Sequence, residues 1–128
     1  MFLSLGYSPL VNQLPLSTAL EFSNSQTPMT LLHIALQDGF VNDEVIIYVN
    51  DEEVFHQSGI NTRFQISFAT SFEVDVTQGA VEVTVNIPSR NQTQSIIWDV
   101  SHSTYLGVSV TADSNIEFRI STEPFGYL

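Results

Sequence analysis

The sequence predicts an all-β protein: a mostly antiparallel β-sandwich of about eight strands with an extended N-terminal arm. After residue 29, apolar and polar residues alternate in short runs. Turn-forming residues separate these runs about every eight to twelve residues, a spacing typical of sandwiches and barrels. No long stretch keeps the 3.6-residue period of an amphipathic helix. With 128 residues, the chain has the length of one domain that can bury a normal core.

The arm covers residues 1–28, and the sandwich domain covers residues 29–128. Glu21 is the arm's only charged residue, and the arm keeps neither the strand nor the helix period. Its apolar side chains need a cover, either on their own domain or on a neighbouring subunit. The arm has no basic residue, and Pro9 and Pro15 interrupt its apolar runs, so the sequence predicts no signal peptide and favours a cytoplasmic location.

The first predicted strands surround an acidic stretch. Thr30–Gln37 alternates as a strand, and the turn Asp38–Glu44 follows it. Val45–Val49 is apolar on both faces, which predicts a central strand or one covered on its outer side. The turn Asn50–Glu53 then leads into a short strand, Val54–His56.

The middle of the chain predicts a hairpin. Phe72–Val76 and Val81–Ile87 both alternate cleanly, and Thr77–Gly79 separates them. Glycine supplies the positive φ that such a turn often needs. Glu73, Asp75 and Glu82 would then share one outward face, open to solvent and without a cleft.

The last predicted strands complete the sandwich. Ile96–Val100 contributes Trp98, which we expect to be the large central filler of the core. Tyr105–Thr111 and Ile116–Ile120 follow, and the chain ends in an apolar tail. An immunoglobulin-like or a transthyretin-like sandwich fits this pattern, although the chain has no cysteine for the disulfide of antibody domains.

The charge balance restricts the partners. There are three basic residues, all arginine, and the formal net charge is −11. Nucleic-acid binding needs a basic footprint, and anionic membranes attract basic segments, so neither partner is expected. The acidity favours solubility, cations or basic partners.

The acidic turns could hold a hard cation such as Ca²⁺, which takes carboxylate and carbonyl oxygens. The two turns flank one strand, so they should lie roughly 17–20 Å apart and cannot share an ion. If one turn holds an ion, the predicted metal ligands are Asp38, Asp43 and Glu44, with Asp113 of another turn as a further candidate, and calcium is the only cofactor considered. The more common reading is that such turns are simply solvated.

Catalysis is not predicted. The three histidines, His33, His56 and His102, lack metal-ligand spacing. Asp99 and His102 lie beside two serines, but Ser-His-Asp triads are usually assembled from distant segments. The sequence has no Gly-x-Ser-x-Gly elbow either. Because no catalytic arrangement is evident, a small hydrolase is only the last of three functional hypotheses.

Five aromatic side chains on predicted outward or terminal positions could form a ligand or subunit surface: Tyr48, Phe55, Tyr105, Phe125 and Tyr127. Aromatic residues are enriched in interfaces, and sugar rings also pack on aromatic faces.

These observations predict a non-enzymatic β-sandwich that acts by protein–protein association, as a homo-oligomer. Exchanged arms and symmetric dimers are a low-cost way to cover apolar ends. The alternative is a carbohydrate-binding module, with or without calcium.

Overall fold

The computed structural model describes residues 28–127, which form a sandwich of two four-stranded sheets. The strands are β1 Met29–Leu36, β2 Asp43–Val49, β3 Glu52–Ile60, β4 Thr70–Thr77, β5 Gly79–Ile87, β6 Gln92–Val100, β7 Thr104–Val110 and β8 Ile116–Ser121. A 3₁₀ turn, Pro88–Arg90, joins β5 to β6. Within residues 28–127 no helix has the length and apolar character needed to cross a membrane.

Sheet 1 has the strand order β4-β1-β7-β8, and sheet 2 has the order β3-β2-β5-β6. Every pairing is antiparallel except that of β1 with β7. The predicted all-β, mostly antiparallel sandwich of about eight strands is therefore confirmed.

The core lies between the sheets and is built from the inward side chains of all eight strands and of one loop. Its fully buried members are mostly branched aliphatic residues, as expected for pleated strands that pack face to face. The largest of them is Phe40, in the loop between β1 and β2. Thr62 fixes this loop, because the Phe40 N–H donates to Thr62 Oγ1 (3.0 Å) and the Thr62 N–H donates to the Phe40 carbonyl (2.9 Å).

Gly39 allows this loop to lie close to the backbone of Val110. Its φ is +89°, and a Cβ there would lie 1.9 Å from the Val110 carbonyl oxygen. Only glycine fits such a position without moving backbone. The Asp-Gly pair at 38–39 is thus a true turn, as the sequence predicts.

The prediction for Val45–Val49 is confirmed. These residues belong to β2, which lies inside sheet 2 between β3 and β5. Val45, Ile47 and Val49 are buried in the core, and Ile46 and Tyr48 are half-buried on the outer face. A strand with neighbours on both sides loses outer-face exposure to their side chains.

The predicted hairpin of Phe72–Val76 with Val81–Ile87 is wrong. These segments are β4 and β5, and they lie in different sheets: β4 pairs with β1, and β5 pairs with β2 and β6. Both strands still face the core, but from opposite sides, so their alternation is the same as in a hairpin. Consequently Glu73 and Asp75 lie on the outer face of sheet 1, and Glu82 lies on that of sheet 2.

The prediction that Trp98 fills the centre of the core is also wrong. Trp98 lies on β6, which is an edge strand of sheet 2, and its side chain is only partly buried against the core. Phe40 is the large side chain that is fully buried. A loop residue was hard to foresee here, because alternation identifies only residues within strands. The predicted N-terminal arm, residues 1–27 in particular, lies outside the described residues.

Candidate functional site

The outer face of sheet 1 carries a row of polar and aromatic side chains centred on His33. In the strand register, His33 on β1 lies beside Glu73 on β4 and beside Tyr105 on β7. His33 Nδ1 is 2.9 Å from Glu73 Oε2. The imidazole also stacks on the Tyr105 ring, with centroids 4.3 Å apart and an interplanar angle of 13°. Three adjacent strands therefore determine where this histidine lies.

The second nitrogen of His33 faces a serine. Ser103, in the loop between β6 and β7, places its Oγ 3.2 Å from His33 Nε2. Both ring nitrogens thus have polar partners, and one ring face has an aromatic partner. We call His33, Glu73 and Ser103 the His33 cluster.

The C-terminal tail lies across the same face. Phe125 meets Tyr105 edge to face, with centroids 6.5 Å apart, and the Arg119 guanidinium lies 4.6 Å from the Phe125 ring centroid. Tyr127 packs on Phe68, with centroids 4.7 Å apart. Such aromatic contacts contribute beyond the area they bury. Phe125 and Tyr127 of the tail therefore pack on aromatic side chains of their own domain, although Tyr127 stays partly exposed.

A buried amide supports the end of the tail. Gln37 is buried, and its Nε2 donates to the Tyr127 hydroxyl (2.9 Å). Gly107 makes room for it, because a Cβ at Gly107 would lie 2.4 Å from Gln37 Oε1.

A cavity and a groove border the C-terminal tail. A cavity of about 160 Å³ lies beside the His33 cluster, with His33, Glu73, Phe72, Tyr105, Phe125 and Tyr127 among its lining residues. A wider groove of about 700 Å³ lies on the other side of Tyr127 and is lined mainly by polar residues, including Asp38, Gln65, Ser109, Glu117 and Arg119.

Asp43, one of the three predicted metal ligands, is buried, and both of its carboxylate oxygens already accept hydrogen bonds. Its two carboxylate oxygens accept from Arg90 Nε (2.9 Å) and Nη2 (3.0 Å), from the Ser89 hydroxyl (2.8 Å), and from the Val41 N–H (2.8 Å). Arg90 also donates to the Gly39 carbonyl and to Ser114 Oγ. Arg90 thereby connects sheet 2 with the turn before β8 in sheet 1.

These bonds set the charge of Asp43. Burial alone would raise the pKa of Asp43, but the hydrogen bonds from Arg90, Val41 and Ser89 and the Arg90 charge outweigh it. The pKa of Asp43 is therefore held below its ordinary value. This carboxylate is ionised and forms an ion pair with Arg90.

Asp38 and Glu44 lie in other surroundings, and only the Glu44 carboxylate of the two has a side-chain partner within residues 28–127. The backbone of Asp38 bonds Ser109 and Val110, and the Glu44 carboxylate lies 2.7 Å from His56 Nε2. Across residues 28–127, no three acidic, histidine or cysteine side chains are grouped as metal ligands would be. Calcium binding stays a prediction, and the residues named for it lie in three separate hydrogen-bonding environments.

The five predicted aromatic residues divide into three places. Tyr105, Phe125 and Tyr127 converge on the outer face of sheet 1. Tyr48 lies on the outer face of sheet 2, and Phe55 stacks on Phe72 between the edge strands β3 and β4, with centroids 4.7 Å apart. The faces of Tyr105 and Phe55 are each covered by another ring, so these five residues do not form a single platform.

The edge strand β6 is a second distinctive surface. It pairs with β5 over nine residues without a bulge, and its other side has no strand partner among the described residues. Asp99 is its only charged residue, and Ile97 is 63% exposed on the outer face. The Trp98 indole N–H is buried, yet no acceptor for it exists within residues 28–127.

Sequence reasoning missed the roles of His33 and Glu73. It considered Ser103 only with the nearby His102, whereas the structure pairs Ser103 with His33, seventy positions away. The available signal was weak: both missed residues lie at outward positions of strands, but nothing local indicates that those strands pair. No protein-family model matches this chain, and no curated protein matches it.

Proposed function

We propose that this protein acts in protein–protein association, as a homo-oligomer that forms through the edge strand β6. The observation that carries the proposal is that β6 is a long, regular and almost uncharged edge. An edge strand presents unpaired N–H and C=O groups, which makes it a template for another strand. Two copies related by a twofold axis could join their β6 strands into one continuous sheet.

The other three edge strands have the protection that β6 lacks. Edge strands are usually blunted by charges, bulges or prolines. β3 carries Glu52 and Glu53 and shows two register shifts against β2. β4 carries two carboxylates, and β8 carries Glu117 and Arg119. The contrast favours β6 over the other edges.

One further feature of the same side of the sandwich supports the proposal. Ile97 and Ile120, on β6 and β8, are both exposed aliphatic residues. Apolar area with a polar rim is typical of the centre of an interface.

The test is the molar mass of the full chain, measured by size-exclusion chromatography with light scattering over a range of concentrations. The chain has a mass of 14.3 kDa, and we expect a species of about twice that mass. Ile97→Lys places a charge on the β6 edge and should give the monomer. The matched control is Val41→Lys, because Val41 is 65% exposed and lies in a loop rather than in an edge strand.

Three outcomes distinguish a β6 dimer from a monomer and from a dimer formed by other surfaces. A monomeric wild type at every concentration contradicts self-association. A dimer that survives Ile97→Lys contradicts the β6 interface. If that dimer is lost only in a variant lacking residues 1–28, association depends on the N-terminal arm, as the sequence alone suggested.

A carbohydrate-binding role is the second candidate, and the groove of about 700 Å³ favours it. Sugar sites combine polar side chains with an aromatic face, and this groove brings Asp38, Arg119 and Tyr127 together. A glycan array with the wild type and Arg119→Met tests it. Binding that requires Arg119 supports the groove, and no binding to any glycan contradicts it.

The calcium-dependent form of that role has its own test. An ion that binds the native state raises the melting temperature by mass action. The measurement is a thermal melt with and without millimolar Ca²⁺, and an unchanged melting temperature contradicts calcium binding.

A further inference from the structure

The His33 cluster has the connectivity of a nucleophile, a base and an orienting acid. Glu73 Oε2 lies 2.9 Å from one imidazole nitrogen, Nδ1, and Ser103 Oγ lies 3.2 Å from the other, Nε2. Such triads are recognised by geometry and not by sequence position. We propose that Ser103, His33 and Glu73 form a hydrolytic site for activated esters of short-chain acids.

The hydrogen bonds determine which nitrogen acts as the base. A carboxylate only accepts, so Glu73 selects the tautomer of His33 that carries its proton on Nδ1. Nε2 is then unprotonated and faces the Ser103 hydroxyl. This is the arrangement in which a histidine can take the proton of a serine.

The histidine is held in position by the sheet. β1 is an inner strand of sheet 1, and the His33 side chain is only 21% exposed. The Tyr105 ring covers one face of the imidazole. The base therefore lies on a rigid element, which is the condition for a well-defined site. Ser103 lies in a loop, where catalytic nucleophiles are common.

His33 and Glu73 line the adjacent cavity, whereas Ser103 is not among its lining residues and lies 3.2 Å from His33 Nε2. A substrate held in the cavity must therefore extend past the imidazole to reach the Ser103 hydroxyl, and the cavity limits its size. The volume of the cavity is about 160 Å³, and aromatic rings of Phe68, Phe72, Tyr105 and Phe125 contribute to its wall. A cavity of about 150 Å³ lined by apolar side chains can hold benzene. A short acyl chain or a phenyl leaving group is of this size, whereas a long acyl chain is not. Activated esters are specified because their leaving groups need the least electrostatic stabilisation.

The reaction balances with water as the only co-reactant. Ser103 Oγ forms a bond to the ester carbonyl carbon as its proton passes to His33 Nε2. The bond from that carbon to the alkoxide oxygen breaks, and His33 returns the proton to the departing alcohol. Water then attacks the acyl-serine carbon through the same base, and the carboxylic acid and free Ser103 result. Glu73 acts as a positioning residue.

The inference does not rest on self-association. The His33 cluster lies on β1, β4 and the loop before β7, whereas the proposed interface is the opposite edge strand of sheet 2. If the site hydrolyses esters, the sequence-based prediction of a non-enzymatic protein is wrong, but a β6 dimer can still form.

The test measures hydrolysis of p-nitrophenyl acetate by the full chain, together with covalent labelling by a fluorophosphonate and mapping of the label by peptide mass. We expect turnover and a label on Ser103. Ser103→Ala should abolish both, and His33→Gln should lower turnover by roughly a hundredfold. Thermal melts confirm that the variants are folded.

Ser101→Ala is the matched control. Ser101 Oγ also lies 3.2 Å from a histidine nitrogen, His102 Nδ1, but no carboxylate lies within hydrogen-bonding distance of His102 in the described region. Ser101 should stay unlabelled, and its variant should keep full turnover. A folded wild type without turnover or label overturns the proposal. So does turnover that persists in Ser103→Ala, which would indicate non-specific imidazole chemistry.

Discussion

The protein contains two pairs of a carboxylate and a basic side chain, which differ in burial and in their other contacts. They are Asp43 with Arg90 and Glu73 with His33. The Asp43 side chain is 3% exposed, and its oxygens accept four hydrogen bonds. The Glu73 side chain is 58% exposed, and it holds a histidine whose other nitrogen faces a serine. The first pair connects parts of the protein, and the second places one histidine between a carboxylate and a serine.

The difference shows that a short distance between charged groups does not by itself define a role. Burial and saturation make the Asp43–Arg90 pair structural, because any loss of a partner leaves an uncompensated charge. Exposure makes the Glu73–His33 pair weak as a source of stability. In the proposed hydrolytic site, its role is to set the tautomer and orientation of His33. Four experiments, in order of decreasing effect on stability, test this distinction and the anchoring of the tail.

Arg90→Met should lower the free energy of unfolding by about 3 kcal/mol, because it leaves the buried Asp43 carboxylate without its cation. Urea denaturation measures this change. The control is Arg119→Met, which removes a cation from above the half-buried Phe125 ring and should cost less than about 1 kcal/mol. Equal losses in the two variants would contradict the assignment of Arg90 to a structural network.

The Asp43 network should also make stability depend on pH in the acid range. The folded-state pKa of Asp43 lies below its unfolded-state value, which is about 3.9. Its contribution is therefore complete above about pH 4 and is lost as the pH falls through the folded-state pKa. Unfolding free energies of the wild type and of Asp43→Asn, measured from pH 7 to pH 2, should converge at the acid end. Parallel curves would contradict this.

Tyr127→Phe should cost about 1 kcal/mol, since it removes the hydroxyl that accepts from the buried Gln37 amide. The ring contact with Phe68 is kept, so the change isolates the hydrogen bond. Denaturation measures the loss. The control is Tyr48→Phe on sheet 2, which should be close to neutral, and a larger effect there would show that the tail is not specially anchored.

Glu73→Gln should change stability by less than about 0.5 kcal/mol, because exposed ion pairs contribute little. If the His33 cluster hydrolyses esters, the same variant should lower kcat at least about tenfold and leave KM unchanged. Glu44→Gln is the matched control, since Glu44 lies 2.7 Å from His56 but no serine faces that imidazole within the described chain. A kcat that does not respond to Glu73→Gln contradicts the role of Glu73, and a large loss of stability shows that the pair is structural.

The sequence predicted most individual strands because alternation is a local property. β2 is the clearest case: five consecutive apolar residues could only be an inner strand or a covered one, and it is an inner strand. The partnership of β4 with β5 was mispredicted for the same reason. Alternation states which residues face the core, but it does not state from which sheet they face it.

The candidate site could not be predicted to the same extent. Tyr105, Phe125 and Tyr127 were named as surface aromatic residues, and the structure brings them together. Ser103 was noticed, but with the wrong histidine. His33 and Glu73 become neighbours only because β1 pairs with β4, and that pairing joins segments far apart in the sequence.

The sequence by itself determined the all-β class, the approximate strand number, the acidity and the face of most strand residues, because these follow from composition and a two-residue period. Only the tertiary structure decided the strand order, the edge position of Trp98, the closure of Asp43 by Arg90 and the meeting of Ser103, His33 and Glu73. Each of these depends on which distant segments pair. Strand pairing is determined by the packing of the whole core, and no short stretch of sequence reveals it.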